Sequence, residues 1–144
     1  MKAKYFLVMF IALALIGVVH AEKFTPSEGI FAYKEVETFE INGINFTIPT
    51  DYDVTFENST EMDFKHDDTK LKVSVVDDGK IKKVKTNKSK NVTSSKTMLG
   101  SQEGYLVDKN GTYTFSYDAS DKLVVIKSKD MSLMIGVMEN VTQV

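Results

Sequence analysis

Alternation of apolar and polar residues along the chain predicts antiparallel β-strands. Alternating runs flank Asn42-Gly43 and again Asn110-Gly111. An Asn-Gly dipeptide between two such runs is the strongest short-range indication of a β-hairpin. Further strands are expected at residues 52–56, 62–64 and 71–75, each followed by a turn rich in Asn, Asp or Gly.

The end of the chain predicts a buried strand followed by a helix. The run 123–126 is wholly apolar, as is typical of a central strand buried on both faces. Apolar residues then recur at helical spacing, with Asp130 as the N-cap and Gly136 weakening the helix by about 1 kcal/mol. The residues on that helix face are Met131, Met134, Ile135, Met138 and Val141. We therefore predict an α+β fold, an antiparallel β-sheet of about six to eight strands with a C-terminal helix packed on one face.

Two segments depart from this pattern. Residues 22–38 have no firm period and predict a linker or a short helix, while residues 87–96 are polar and predict a long exposed loop. Residues 39–144, including that loop, are expected to form a single domain, because their number leaves no room for two.

The N-terminus predicts an export signal. A short cationic start precedes 15 uncharged and mostly apolar residues, 5–19, whereas a membrane-spanning helix needs about 20. Small residues ending at Ala21 fit a cleavage site, so we predict a signal peptide over residues 1–21 that is removed before Glu22. An uncleaved membrane anchor is the alternative, and it would be the chain's membrane contact.

The composition of the chain excludes several kinds of chemistry. Its 144 residues carry a net charge of −2 and no Cys or Trp, and all 18 basic residues are Lys. Without Cys there is no disulfide, no thiolate zinc site and no catalytic thiol. Without Arg there is no bidentate guanidinium clamp for carboxylate or phosphate. Nothing in the pattern indicates a cofactor.

The charge is unevenly distributed along the chain. Residues 22–64 hold 2 Lys and 10 acidic residues, net −8, whereas residues 65–96 hold 10 Lys and 4 acidic residues, net +6. The candidate residues for binding an anionic partner are Lys80, Lys82, Lys83, Lys85, Lys88 and Lys90, with Lys96 close behind. The alternative is a solvated face or a lysine-protected edge strand. No aromatic residue lies between Phe64 and Tyr105 to stack on bases, so no nucleic-acid partner is expected.

Glycosylation sequons are the sharpest motif in the chain. Six of the seven Asn residues stand in Asn-X-Ser/Thr with X other than Pro, namely Asn45, Asn58, Asn87, Asn91, Asn110 and Asn140. On an exported chain this excess predicts N-glycosylation at surface positions. The alternative is turn chemistry, since Asn favours turns and Thr favours the strands that follow.

Catalytic and metal-binding motifs are sparse. His66 is the only His after residue 21, and it sits beside Asp67 and Asp68 in a turn, where a catalytic triad does not readily form. The paired acids, Asp51/Asp53, Asp67/Asp68 and Asp77/Asp78, do not match a calcium loop. We therefore expect no catalytic residues and no metal site.

The chain resembles short exported proteins of unknown function from methanogenic archaea. The resemblance lies in NFTIPTDY at residues 45–52, GSQEGYL at 100–106, YTFSY at 113–117 and KLVVI at 122–126, followed by the apolar helix. It implies an envelope location and carries no catalytic residue.

Together these patterns predict an exported cell-surface or extracellular protein with a non-enzymatic structural or binding role. One alternative is a module that binds an anionic envelope polymer or lipid headgroup through the Lys-rich segment. A second is a hydrolase that uses carboxylates.

Overall fold

The computed structural model describes residues 29–143, which form ten β-strands, one α-helix and two short 3-10 helices, Gly29–Phe31 and Lys88–Lys90. The elements in chain order are β1 (Val36–Ile41), β2 (Ile44–Pro49), β3 (Asp53–Glu57), β4 (Glu61–His66), β5 (Thr69–Asp77), β6 (Val92–Leu99), β7 (Gln102–Lys109), β8 (Thr112–Ala119), β9 (Lys122–Ser128), α1 (Met131–Glu139) and β10 (Thr142–Gln143).

The strands form two antiparallel sheets. The main sheet has seven strands in the order β3-β4-β5-β9-β8-β7-β6, and the small sheet has three in the order β10-β2-β1. Both Asn-Gly hairpins are present, and Asn42, Gly43, Asn110 and Gly111 all have the positive φ angles that such two-residue turns require. The predicted α+β fold with an antiparallel sheet and a C-terminal helix is confirmed.

The hydrophobic core lies between one face of the main sheet and a cover made of the small sheet and α1. Alternate residues of β4, β5, β8 and β9 point into it, and β2 contributes Ile44, Phe46 and Ile48. The Phe39 and Phe64 rings meet edge to face at 5.1 Å, which joins the small sheet to the main one. We call the face of the main sheet that contacts this core the inner face, and the opposite face the outer face.

The C-terminal helix begins where the sequence predicts, and it packs closely against Phe31. The Asp130 carboxylate caps it by accepting a hydrogen bond from the Leu133 N–H at 3.1 Å. Gly136 lies against the ring of Phe31, and a Cβ at Gly136 would overlap that ring. Phe31 is buried in the core although it lies within the predicted linker 22–38, so the folded part begins before residue 39.

The predicted loop 87–96 is wrong in its second half, because β6 begins at Val92. Strand β6 is polar since it forms an edge of the main sheet, where side chains meet water instead of the core. The real irregular segment is 79–86, which connects β5 to β6.

Because β9, β8 and β7 lie between β5 and β6 in the sheet, residues 79–86 must cross all three on one face. The contacts show that this is the outer face. Gly79 approaches Leu123, the Tyr105 hydroxyl donates to the Val84 carbonyl at 2.8 Å, and Thr86 hydrogen-bonds Ser94. We call residues 79–86 the strap. The strap explains why Leu123 is buried although it points away from the core, as expected for a central strand covered on both faces.

The expected signal peptide, residues 1–21, lies outside the described residues. Within residues 29–143 the structure contains no helix with the length and apolar character to span a membrane.

Candidate anion-binding surface

The outer face of the main sheet gathers lysines from three strands that are distant in sequence. Alternation with buried residues turns Lys65 of β4, Lys70 and Lys72 of β5, and Lys127 of β9 away from the core. Together with Lys129, which follows β9, they line an open groove of about 630 Å³. A groove of this volume falls in the range of small-ligand sites.

The strand register places lysines directly opposite one another in this groove. Lys65 faces Lys70 across β4 and β5, and Lys72 faces Lys127 across β5 and β9. Opposed residues in antiparallel strands lie about 5 Å apart, and like charges at that spacing destabilise a sheet. The Lys65/Lys70 pair therefore carries a local stability cost that a bound anion would relieve. In the Lys72/Lys127 pair, Glu61 already offsets part of that cost.

Two acidic residues, Asp63 and Asp68, stand among these lysines in the groove. Asp63 of β4 lines the groove and faces Lys72 in the register, while Glu61 forms an ion pair with Lys72 at 3.1 Å. Removal from water raises the pKa of Asp63 above its ordinary value. The positive charge of Lys72 lowers that pKa, and the nearby Glu61 raises it. The hydrogen bond that Lys72 donates to the Glu61 carboxylate is the largest of the effects that raise the pKa of Lys72.

The strap adds a second set of lysines to the same face. Of the residues predicted to bind an anionic partner, Lys80, Lys82, Lys83 and Lys85 lie on the strap, and Lys88 and Lys90 lie in the 3-10 helix that follows it. All six are exposed, and none forms an ion pair within the described part of the chain. The strap lysines are therefore not neutralised by the acidic residues of segment 29–64, which was an open possibility from the sequence.

Sequence reasoning found the strap lysines and missed those of the groove. A run of lysines is visible along the chain, whereas the groove is assembled from β4, β5 and β9 only once the strand order is known. The available indication was the alternation of Lys with apolar residues at 70–73.

His66 lies at the end of β4 in a cluster of acids and one aromatic ring. Its Nε2 is 3.6 Å from Asp51 Oδ2 and 3.5 Å from Asp67 Oδ2, and the Tyr52 ring is centred 5.4 Å away. A triad needs the orienting acid and the nucleophile on opposite ring nitrogens. Here both carboxylates approach the same nitrogen of a half-exposed ring, so the cluster does not have triad geometry.

The acid pairs singled out from the sequence occupy turns and strand ends. Asp67 and Asp78 have positive φ angles in turns, and Asp77 accepts a hydrogen bond from the Asn42 amide at 3.2 Å. Across residues 29–143 no three His or acidic side chains converge in a way that could hold a metal ion.

The six sequon asparagines differ in how accessible their side chains are. Asn58, Asn87, Asn91 and Asn110 are exposed in turns, whereas Asn45 is half-buried in β2. The Asn140 amide donates to the Gly136 carbonyl at 2.9 Å and so helps to end α1. Glycosylation therefore remains a prediction that the structure favours most at the four exposed turns.

The chain matches no protein-family model and no curated protein sequence. A crystal structure of a protein from Bacteroides thetaiotaomicron VPI-5482 is similar in fold, with a TM-score of 0.53 and 8% sequence identity. The match covers 75% of this chain and 48% of that protein, so this chain spans about half of its length. At this identity the similarity concerns the fold alone.

Proposed function

We propose that the protein is an exported, non-enzymatic domain of the cell surface that binds an anionic envelope polymer through the outer face of its main sheet. The observation that carries the proposal is the gathering of strap and groove lysines on one face, with two lysine pairs in direct opposition. The N-terminal segment and the resemblance to exported archaeal proteins support the location.

The physical basis of this binding is electrostatic. Exposed lysines that have no carboxylate partner keep their full positive charge, and a polyanion can contact several of them at once. Because these charges are exposed, salt screens their attraction over about 10 Å at 0.1 M ionic strength. Binding should therefore weaken steeply as salt is added.

The test is retention of the purified protein, produced from the full chain, on envelope material from the producing cells. Wild-type protein should be retained at low salt and eluted by added salt. The variant with Lys82→Glu, Lys83→Glu and Lys85→Glu should pass through. A parallel assay with anionic lipid vesicles distinguishes binding to the polymer from binding to a lipid headgroup. Retention on vesicles alone would show that the ligand is the membrane surface and not the polymer.

A matched pair of single variants controls for net charge. Lys82→Glu and Lys34→Glu change the charge equally, but Lys34 is an exposed residue that precedes β1 of the small sheet, which covers the inner face. Only Lys82→Glu should reduce retention. Equal losses in both variants would show a nonspecific charge effect and would contradict the proposal.

Export is tested separately by the intact mass of the native protein from fractionated cells. A mass that begins at Glu22, with discrete glycan increments, is expected from the medium or envelope. An unmodified mass that retains residues 1–21 in the membrane fraction would favour the anchored alternative.

A further inference from the structure

We propose that the groove recognises an acidic saccharide residue, with its lysines binding the anionic group and Asp63 accepting hydrogen bonds from sugar hydroxyls. The proposal rests on the proposed function, because it names the chemical class of the polymer that the outer face binds.

The position of Asp63 favours a saccharide over a simple polyanion as the ligand of the groove. A site for phosphate alone gains nothing from a carboxylate between its lysines, because the two negative charges repel each other. An ionised carboxylate is, however, a strong acceptor for hydroxyl donors. A ligand that carries both a negative charge and neutral hydroxyl groups satisfies Lys72 and Asp63 together, and an acidic sugar is such a ligand.

The hydrogen bonding of Asp63 is incomplete within the described structure. Its Oδ1 is shielded from solvent and has no hydrogen-bond partner there, which is costly for a carboxylate oxygen. The terminal torsion of Asp is soft, so a small rotation would turn this oxygen into the groove. A ligand hydroxyl would then supply the missing donor.

Strand β3, next to Asp63 at the edge of the groove, offers the other features that a sugar needs. Phe56 of β3 faces Asp63 in the register and is 47% exposed. The register shifts between Val54 and Phe56, and such bulges re-aim side chains next to binding sites. An aromatic face is electron-rich and attracts the C–H face of a sugar ring. Thr55 and Thr112, which carry hydroxyl groups, line the groove itself.

The experiment compares two anionic probes, trigalacturonate and tripolyphosphate, by titration calorimetry on the purified protein produced from the full chain. Trigalacturonate has hydroxyls and ring faces, whereas tripolyphosphate has only charge. Asp63→Ala should weaken trigalacturonate binding about tenfold or more, from the loss of hydrogen bonds to a charged acceptor. The same variant should bind tripolyphosphate more tightly, because a negative charge has left the groove.

Three further variants complete the design. Phe56→Ala should weaken trigalacturonate and leave tripolyphosphate unchanged. Asp63→Asn keeps the side-chain volume, should change each affinity in the same direction as Asp63→Ala, and replaces it if the alanine variant does not fold. Asp118→Ala removes an exposed acid of β8 outside the groove and should leave trigalacturonate binding unchanged.

The results distinguish a saccharide site from a plain cationic surface. Opposite effects of Asp63→Ala on the two probes support the inference. Tighter binding of both probes would overturn it and leave a plain cationic surface, with the proposed function intact. If wild-type protein bound neither probe nor envelope material, the proposed function and this inference would both fail.

Discussion

The contact between Phe31 and Gly136 allows a sharp test of how the domain is closed. Phe31 is 1% exposed, and its ring occupies the space where a side chain at Gly136 would stand. Replacing Phe31 by Ala removes a fully buried aromatic ring, which costs about 3–5 kcal/mol. That is a large part of the roughly 5–15 kcal/mol by which a domain is stable. The same substitution of a residue in a linker would cost almost nothing.

The sign of a second substitution, Gly136→Ala, should depend on Phe31. Alanine gains about 0.8–1.0 kcal/mol of helix propensity over glycine, but its Cβ overlaps the Phe31 ring, and overpacking of this kind costs about 1–3 kcal/mol. In the wild-type background Gly136→Ala should therefore be neutral to destabilising by about 2 kcal/mol. In the Phe31→Ala background the overlap is gone, and the same change should stabilise by about 1 kcal/mol.

Urea denaturation of the four proteins in the cycle measures this dependence, and the coupling energy should be about 1–3 kcal/mol. Since the helix propensity contributes equally in both backgrounds, it cancels from the coupling. A Gly136→Ala effect that is the same with and without Phe31 would show that the ring does not pack on α1. If Phe31→Ala lowered the free energy of unfolding by less than about 0.5 kcal/mol, segment 22–38 would be a linker, as the sequence alone predicted.

Three further predictions concern the groove and the helix cap. Because burial raises the folded-state pKa of Asp63 above its ordinary 3.8, the folded state binds this proton more tightly than the unfolded chain does, so stability falls as pH rises through that interval. Asp63→Asn should therefore raise the melting temperature at pH 7, and the gain should vanish near pH 3; a gain that is constant with pH would contradict this. Lys127→Glu turns its pair with Lys72 from like to opposite charge and should stabilise by about 0.2–1 kcal/mol in urea while weakening polyanion retention; lower stability would show that the lysine pair carries no cost. Asp130→Ala removes the acceptor for the Leu133 N–H and should cost about 1 kcal/mol, whereas an unchanged denaturation midpoint would mean that solvent replaces the cap.

The elements that the sequence predicted well are those whose determinants are local. The Asn-Gly hairpins depend on two residues that accept positive φ, and the start of α1 depends on one carboxylate at Asp130. Period-two alternation identified the buried strands for a similar reason, because each strand carries its own pattern of inner and outer positions. These features need no knowledge of which strands are neighbours.

What the sequence could not predict depends on long-range neighbours. Strand β6 was mistaken in part for a loop because an edge strand with polar residues on both sides lacks an apolar period. Segment 22–38 was predicted to be a linker or short helix because Gly136, the partner of Phe31, lies at the other end of the domain. The groove was missed for the same reason, since Lys65, Lys72 and Lys127 become neighbours only through the order β4-β5-β9.

The same alternation that builds the core also explains why the outer face can carry a binding surface. The core residues of β4, β5 and β9 are held by packing, so their chemistry is constrained to be apolar. The outward residues between them are free of that constraint, and an arrangement chosen for stability alone would mix their charges. Glu61 and Asp63 offset part of the charge of Lys72, but Lys65/Lys70 and Lys72/Lys127 still place like charges opposite one another at a cost to the fold. A local cost that stability does not require is the physical reason to look for an anionic ligand on this face.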